Sequence, residues 1–296
     1  MSDRKFRFGV VAAMSTDVGS WTAQAKWAED AGFDVLLTPD AIGVATPFVA
    51  LGAAAAATTT IRLGTFVLAV PLRTAGSIAW DTASLDRVSG GRFELGLGAG
   101  RPDAANEAAL FGLPWGSARQ RIQQVDDAIR DIRRIFANAT AADAAGSPPG
   151  GGYLRPEQRP HPPIMIAASG PALLGLAARE ANTIAFGLAG GATEAALGEK
   201  IGIVRERAGD RFDDIELSLN VWSAAGSALP PWMATTFGVD MASARDNQVL
   251  SVLNGTPQEI ADVLLRRRDQ FGVSYITVNS LAAEAFAPVV ALLAGR

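Results

Sequence analysis

The feature that most restricts this chain is a rhythm. Short runs of apolar and β-branched residues alternate with stretches whose apolar residues recur at helical spacing. Such alternation is the pattern of βα units feeding a parallel sheet. The first strand is expected over Phe6–Ala13. A helix over Trp21–Ala31 follows, with Trp21, Ala25, Ala28 and Ala31 on one side and Gly32 as its stop. Val35–Thr38 reads as a second strand and alanine-rich Pro47–Ala57 as a second helix, its proline placed where a missing N–H is harmless. Ile61–Val70 is a third strand, Ile78–Val88 a helix, and Phe93–Leu97 a fourth strand running into Gly98 and Gly100. Over Ser117–Phe136, Ile122, Val125, Ile129, Ile132 and Ile135 form a narrow stripe, as on a surface helix. Residues 138–161, rich in Ala, Gly and Pro, read as an irregular excursion, with a lid or a linker as alternatives. The rhythm then resumes with strands at Ile164–Ala167, Thr183–Phe186, Glu216–Val221 and Tyr275–Val278. Its helices open at Pro171 and cover Glu194–Ala208, Pro257–Phe271 and Ala283–Leu293. Thr256-Pro257-Gln258-Glu259 is a helix-start signal.

Eight strands alternating with eight helices is the count of a (β/α)8 (TIM) barrel. It accounts for residues 1–296 as one α/β domain with excursions after strands four and seven. The length alone, against a soft prior of about 150 residues per domain, leaves one or two domains open. The rival architecture is a doubly wound sheet. It lacks its fingerprint: no G-x-G-x-x-G follows the first strand, and GLGAG at 96–100 follows the fourth, with no acidic residue at the distance a ribose site needs.

Composition removes whole classes of chemistry. With no cysteine, disulfides, thiolate zinc sites, iron–sulfur clusters and thiol nucleophiles are excluded. The single histidine, His161, lies in RPHPP, the context of a loop, so a Ser-His-Asp triad or a multi-histidine metal site has little to work with. A metal-dependent hydrolase is therefore disfavoured and no metal is expected. Charged residues are 19% and apolar residues 49% of the chain, with a net charge of −4 and no basic cluster beyond Arg266–Arg268. These values point to a large core and away from a nucleic-acid partner. The N-terminal MSDRKFRFGV holds no apolar run before a cleavage site, and no segment is long and apolar enough to span a bilayer, so a cytoplasmic protein without membrane partners is expected.

In a barrel, the C-terminal ends of the strands face one cleft, so the candidate residues lie there. At Ala168-Ser169-Gly170-Pro171 a strand ends in small residues and a helix begins. Backbone N–H groups and the Ser169 hydroxyl can hold a phosphate there, or Ser169 can be an ordinary N-cap. Asp40 is the one carboxylate at a strand end in the first half, and a purely structural aspartate is its other reading. Trp115, Trp222, Trp232, Met233 and Phe237 gather in the two excursions. They either wall an apolar pocket or pack the excursions onto the barrel. Arg73 and Arg101 suit an anionic group, or ordinary surface pairing.

Several stretches carry a resemblance: RFGV, AEDAGFDVLLTPD (28–40), RLGTFVLAVPLR (62–73), LDRVSGGRFELGLGAG (85–100), and PPIMIAASGP with LAAREANTIAFG (162–187). They are similar to the bacterial luciferase-like monooxygenase superfamily, over about the first two thirds of the chain. GAGRPDAANEAALFGLPWGSARQR resembles its actinobacterial branch of oxidoreductases dependent on the deazaflavin coenzyme F420. The resemblance implies the same barrel. It also implies a bulge with a non-prolyl cis peptide at Phe66-Val67 behind the flavin ring, with Asp40 at the ring's pyrimidine edge and Ala69 on the same side. It implies Ala99, Gly100, Arg101 and Asn106 along the coenzyme tail, and Ala168, Ser169, Gly170 and Pro171 as the phosphate-binding turn. Trp115 and Trp222 are the expected substrate-pocket residues.

There are departures. Where sugar-phosphate dehydrogenases of the superfamily have a proton-donating histidine after the aspartate, this chain has Ala41. Their acidic residue beside the coenzyme has no clean counterpart, since Asp103 and Glu107 sit in a longer segment, and their phosphate-binding lysines are unmatched. Sugar-phosphate oxidation is therefore not expected. The expected activity is hydride transfer between F420 and a small, largely apolar organic substrate, with the proton from Asp40, Glu107, a tyrosine or solvent. Asp40 is the candidate catalytic residue. The alternatives are an FMNH2-dependent two-component monooxygenase, with FMN as its coenzyme, and a non-catalytic flavin-binding barrel. A homodimer through helices 47–57 and 78–88, and a flavin or F420 reductase as electron source, complete the expected partners.

Overall fold

The computed structural model describes residues 4–14, 16–101, 104–144, 154–238 and 249–296. Its strands are β1 (Arg7–Val11), β2 (Val35–Thr38), β3 (Arg62–Thr65), β4 (Leu68–Ala69), β5 (Phe93–Gly98), β6 (Ile164–Ala168), β7 (Thr183–Phe186), β8 (Glu216–Val221), β9 (Ser223–Ala224), β10 (Val252–Leu253) and β11 (Val273–Asn279). The main sheet runs in the order β3-β2-β1-β11-β8-β7-β6-β5-β4, and β3 also pairs with β5, which closes the ring. With β3 and β4 as two pieces of one strand, this is a closed, parallel, eight-stranded (β/α)8 barrel, as the alternation predicts.

The chain divides into two compact units, residues 1–12, 27–37 and 167–296, and residues 13–26 and 38–166. In the first, Arg7–Val11 of β1 lie opposite Tyr275–Asn279 of β11, and Gly9–Val11 opposite Val35–Leu37 of β2. Phe8, Val10, Leu36, Leu219, Ile276 and Val278 are buried, which is what strands covered on both faces require. Its helices are α6 (Pro171–Glu180), α7 (Glu194–Ala208), α8 (Pro231–Phe237), α9 (Pro257–Phe271) and α10 (Ser280–Leu293). The start of α9 is the expected capping box: Thr256 Oγ1 accepts from the Glu259 N–H, and a Glu259 oxygen accepts from the Thr256 N–H at 2.7 Å.

The second unit carries β3 to β5 with α2 (Pro47–Ala57), α3 (Ala75–Val88), α4 (Ala104–Leu110) and α5 (Ala118–Ala144). Here Leu95, Gly96 and Leu97 of β5 pair with Ile164, Met165 and Ile166 of β6. Helix α1 (Val18–Asp30) begins in this unit, where the Trp21 indole N–H donates to the Ala50 carbonyl of α2 at 2.7 Å.

Several elements differ from expectation. The strand read as continuous over Ile61–Val70 is broken at 66–67. Helix α5 runs on to Ala144, because the alanine-rich ANATAADA suits a helix as well as an excursion; residues 145–153 of that excursion lie outside the described residues. The short helices α4 and α8 were not anticipated, since seven residues are too few for a periodic signal. Both excursions follow the expected fourth and seventh barrel strands.

Candidate active site

In the second unit, the break between β3 and β4 is the centre of the arrangement. The Phe66-Val67 peptide is cis, where the resemblance placed it. The ladder from β3 to β5 pairs Leu63 with Phe93 and Gly64 with Glu94, and resumes from β4 with Leu68 on Leu97 and Ala69 on Gly98. Across the gap, the buried Thr65 side chain replaces the missing rung: its Oγ1 accepts from the Gly96 N–H at 2.8 Å and donates to the Gly96 carbonyl at 2.9 Å. Gly96 has no room for a side chain. A Cβ there would lie 2.9 Å from Val67 Cγ1 and closer still to the Thr65 carbonyl oxygen. The Phe66 N–H donates to the Thr38 carbonyl at 2.8 Å.

Asp40, two residues beyond the end of β2, reaches over this break. One of its oxygens accepts from the Ala69 N–H at 3.1 Å and from Arg73 Nε at 3.2 Å, and the other accepts from Arg73 Nη2 at 2.7 Å. This two-pronged pair has the geometry in which arginine binds carboxylates most strongly. Arg73 also faces Asp81 of α3, whose carboxyl is pushed above the usual range by burial and drawn back by the Arg73 charge.

At the end of β5, Gly100 has φ +80°, and a Cβ there would run into the Trp115 ring, 3.2 Å from Cζ3 and closer to Cη2. The Arg121 guanidinium lies 4.5 Å from the centre of the same indole, donating from Nε to the Ala99 carbonyl at 3.1 Å and from Nη1 to the Gly116 carbonyl at 2.9 Å. Trp115 is thus held against the backbone at 99–100. Arg101 pairs with Glu107 at 2.9 Å, and Asn106 is exposed on α4. Phe66, Val67, Ala99, Gly100 and Trp115 are partly exposed, while Ala69 is buried. Asp103 lies outside the described residues.

In the first unit, the Ala168–Pro171 turn joins β6 to α6. The N-cap of α6 is Gly170 and carries no side-chain bond, so the ordinary cap by Ser169 is not made. Ser169 is exposed, and its carbonyl accepts from Lys200 Nζ. Among the described residues nothing would obstruct a Cβ at Gly170, so the space at this helix start is open to them. Trp222 packs with Leu229, Met233, Val249 and Val252, whereas Trp232 is exposed; the side chain of Phe237 lies outside the described residues. In the second unit, His161 precedes β6, at the strand's N-terminal end. Its Nδ1 bonds the Pro162 carbonyl and its Nε2 accepts from Arg133, so Nδ1 carries the proton. Burial, aided by the Arg133 charge, lowers its pKa. Among the described residues no group of three or more His, Asp or Glu is placed to hold a metal ion, and no helix is long and apolar enough to cross a membrane.

Sequence reasoning missed Arg121 and Thr65 as parts of this arrangement. Only the glycines at 96 and 100 hinted that something presses on β5.

Residues 6–227 match the luciferase-like monooxygenase family. The chain is 36% identical over 172 residues to an F420-dependent glucose-6-phosphate dehydrogenase of Beutenbergia cavernae, covering 51% of this chain and 47% of that one. It is 38% identical over 142 residues to an F420-dependent glucose-6-phosphate dehydrogenase of Microbacterium testaceum, covering 45% and 39%. The chain thus spans less than half the length of these curated relatives. Its fold matches the coenzyme F420-dependent tetrahydromethanopterin reductase of Methanopyrus kandleri with a TM-score of 0.73 at 18% identity, over 98% of both chains.

Proposed function

The chain belongs to the luciferase-like monooxygenase family, and on that premise we propose that it is an oxidoreductase that uses coenzyme F420 to exchange a hydride with a small, largely apolar organic substrate. The curated relatives named for F420 support the choice of coenzyme. The observation on this chain that carries the reading is the open start of α6, with a glycine N-cap, an exposed Ser169 hydroxyl and unobstructed space at Gly170. Such a donor set suits a phosphate group, because first-turn N–H groups lack partners and the helix end is positive.

When bound, the deazaflavin gives or takes the hydride. This chain's residues do the rest. In the first unit Ala168, Ser169, Gly170 and Pro171 would hold the tail phosphate, and in the second unit Ala99, Gly100, Arg101 and Asn106 would line the tail. In the second unit Asp40, Phe66, Val67 and Ala69 would back the ring and Trp115 would supply apolar surface for the substrate; in the first unit Trp222 would do the same. Ala41 stands where the sugar-phosphate enzymes have a histidine, so the substrate is not proposed to be a sugar phosphate. The proton comes from solvent or an acidic side chain; both Asp40 and Glu107 are ion-paired. A reductase that renews the coenzyme and a second copy of the chain are the proposed partners. Val49, Trp80 and Val88 on α2 and α3 are exposed apolar side chains suited to a homodimer contact.

The test is equilibrium binding of F420 and of FMN, each oxidised and reduced. Tight F420 binding with weak FMN binding supports the reading. A preference for reduced FMN moves the function to an oxygen-dependent monooxygenase fed by a flavin reductase, as the family's name suggests. Binding of neither overturns it in favour of a non-catalytic barrel.

A further inference from the structure

We propose that Arg73 and Asp40 act together as a positioning clamp on the coenzyme-facing strand break. The inference rests on the reading of 66–69 as the backing of the coenzyme ring. Among the described residues, both Asp40 oxygens are turned to N–H donors: Arg73 through two nitrogens, and the Ala69 backbone. The side chains are 11% and 22% exposed, so solvent competes weakly for the pair. The three groups come from the ends of three segments: the residues after β2, the last residue of β4, and the turn after it.

This geometry answers a local problem. At 66–67 the third barrel strand leaves the β5 ladder, and regular pairing returns only at Leu68–Ala69. Thr65 secures the entry to the break through Gly96, and Asp40 secures the exit through the Ala69 N–H. Without Arg73, Asp40 would have one backbone partner and several rotamers. With Arg73's planar fork on both oxygens, the carboxylate has one orientation, and Ala69 is fixed by it. A carboxylate so placed keeps the exit of the break in shape.

The experiment compares wild type with R73M, R73K, D40N and the D40N/R73M double variant, by coenzyme Kd and by hydrogen exchange at the Ala69 amide. R62M serves as control, since Arg62 pairs with Glu94 at the other end of β3 in the same unit. The expected result is a loss of about ten- to a hundredfold in coenzyme affinity for R73M and for D40N, the scale of hydrogen bonds to a charged group. The double variant should be no worse than the poorer single, because both remove one unit. R73K, with its charge but no fork, should recover part of the loss. The Ala69 amide should exchange faster in R73M and D40N alike, and R62M should lower stability without moving either readout. The proposal is overturned if R73M binds coenzyme as wild type does and leaves the Ala69 amide unchanged while D40N does not, which would mean that Asp40 acts without Arg73. If wild type binds neither coenzyme, the function proposed above fails, and the clamp is judged by exchange alone: an Ala69 amide indifferent to R73M overturns it.

Discussion

Replacing Gly100 with alanine tests the packing at the end of β5. Two costs are readable from the structure. The backbone there has φ +80°, which a side chain makes unfavourable by about 1–2 kcal/mol. The new Cβ would also sit against the Trp115 ring, 3.2 and 3.3 Å from Cζ3 and Cζ2 and closer to Cη2, so the ring must move. Moving it gives up the stacking of Arg121 on the indole, about 0.5–2 kcal/mol. G100A should therefore lower unfolding stability by about 1.5–4 kcal/mol, the sum of those ranges. Urea unfolding followed by far-ultraviolet circular dichroism measures it. A W115A background separates the two parts, since with the ring removed G100A should cost only the backbone share of about 1–2 kcal/mol. A G100A variant within about 0.5 kcal/mol of wild type, the usual size of a surface substitution, would refute the reasoning. So would an equal loss with and without Trp115.

Three further outcomes are expected. His161 is held neutral with a lowered pKa, so the unfolded chain takes up a proton first as pH falls below about 6.5, and stability drops from there towards the lowered folded value; unfolding at pH 7.5 and 5.5 should show a smaller drop for H161Q than for wild type. The Glu194 carboxyl is pulled down to about 2, first by its hydrogen bond from Arg266, with Arg267 adding to it. Its contribution is full above about pH 4.5 and fades as pH falls towards 2, so E194Q should flatten the acid limb of the stability curve, and an unchanged limb would count against the Arg266–Glu194–Arg267 cluster. Trp80 is 61% exposed on α3, and W80E should convert a homodimer to monomers in sedimentation velocity; a variant with the wild-type sedimentation coefficient removes α3 from the contact.

Much of the fold was legible because βα units are local. The bounds of Val35–Thr38, Pro47–Ala57, Thr183–Phe186, Glu194–Ala208, Glu216–Val221 and Pro257–Phe271 agree with the periodicity and the caps. The misreadings differ in cause: the length of α5 and the short helices α4 and α8 were ambiguous locally, whereas the strand break was not a local matter. In Ile61–Val70 only Arg62, Gly64 and Thr65 interrupt the apolar run, and none of them marks a break at 66–67, since the reason for the break lies in its partners. Of the candidate site, Asp40 and the Ala168–Pro171 turn stood out by position, and the cis peptide at 66–67 came from family resemblance. Arg73 stood out as a partner for an anionic group or as an ordinary surface pair, and the anion it holds is Asp40. The roles of Thr65 and Arg121 did not stand out, since each looked like an ordinary strand or helix residue until its partner was known.

The order of strands and helices, the barrel count and the small-residue turn before α6 were thus determined by sequence alone, because periodicity, glycine stops and proline starts act within a few residues. What Asp40 does was decided by tertiary structure. Its partner Arg73 is 33 positions away, and the Thr65 rung on Gly96 spans 31. Whether such side chains meet depends on the register in which parallel strands close, and a shift of one residue would turn each to the opposite face. Register is a property of the closed sheet, and no short stretch of this sequence contains it.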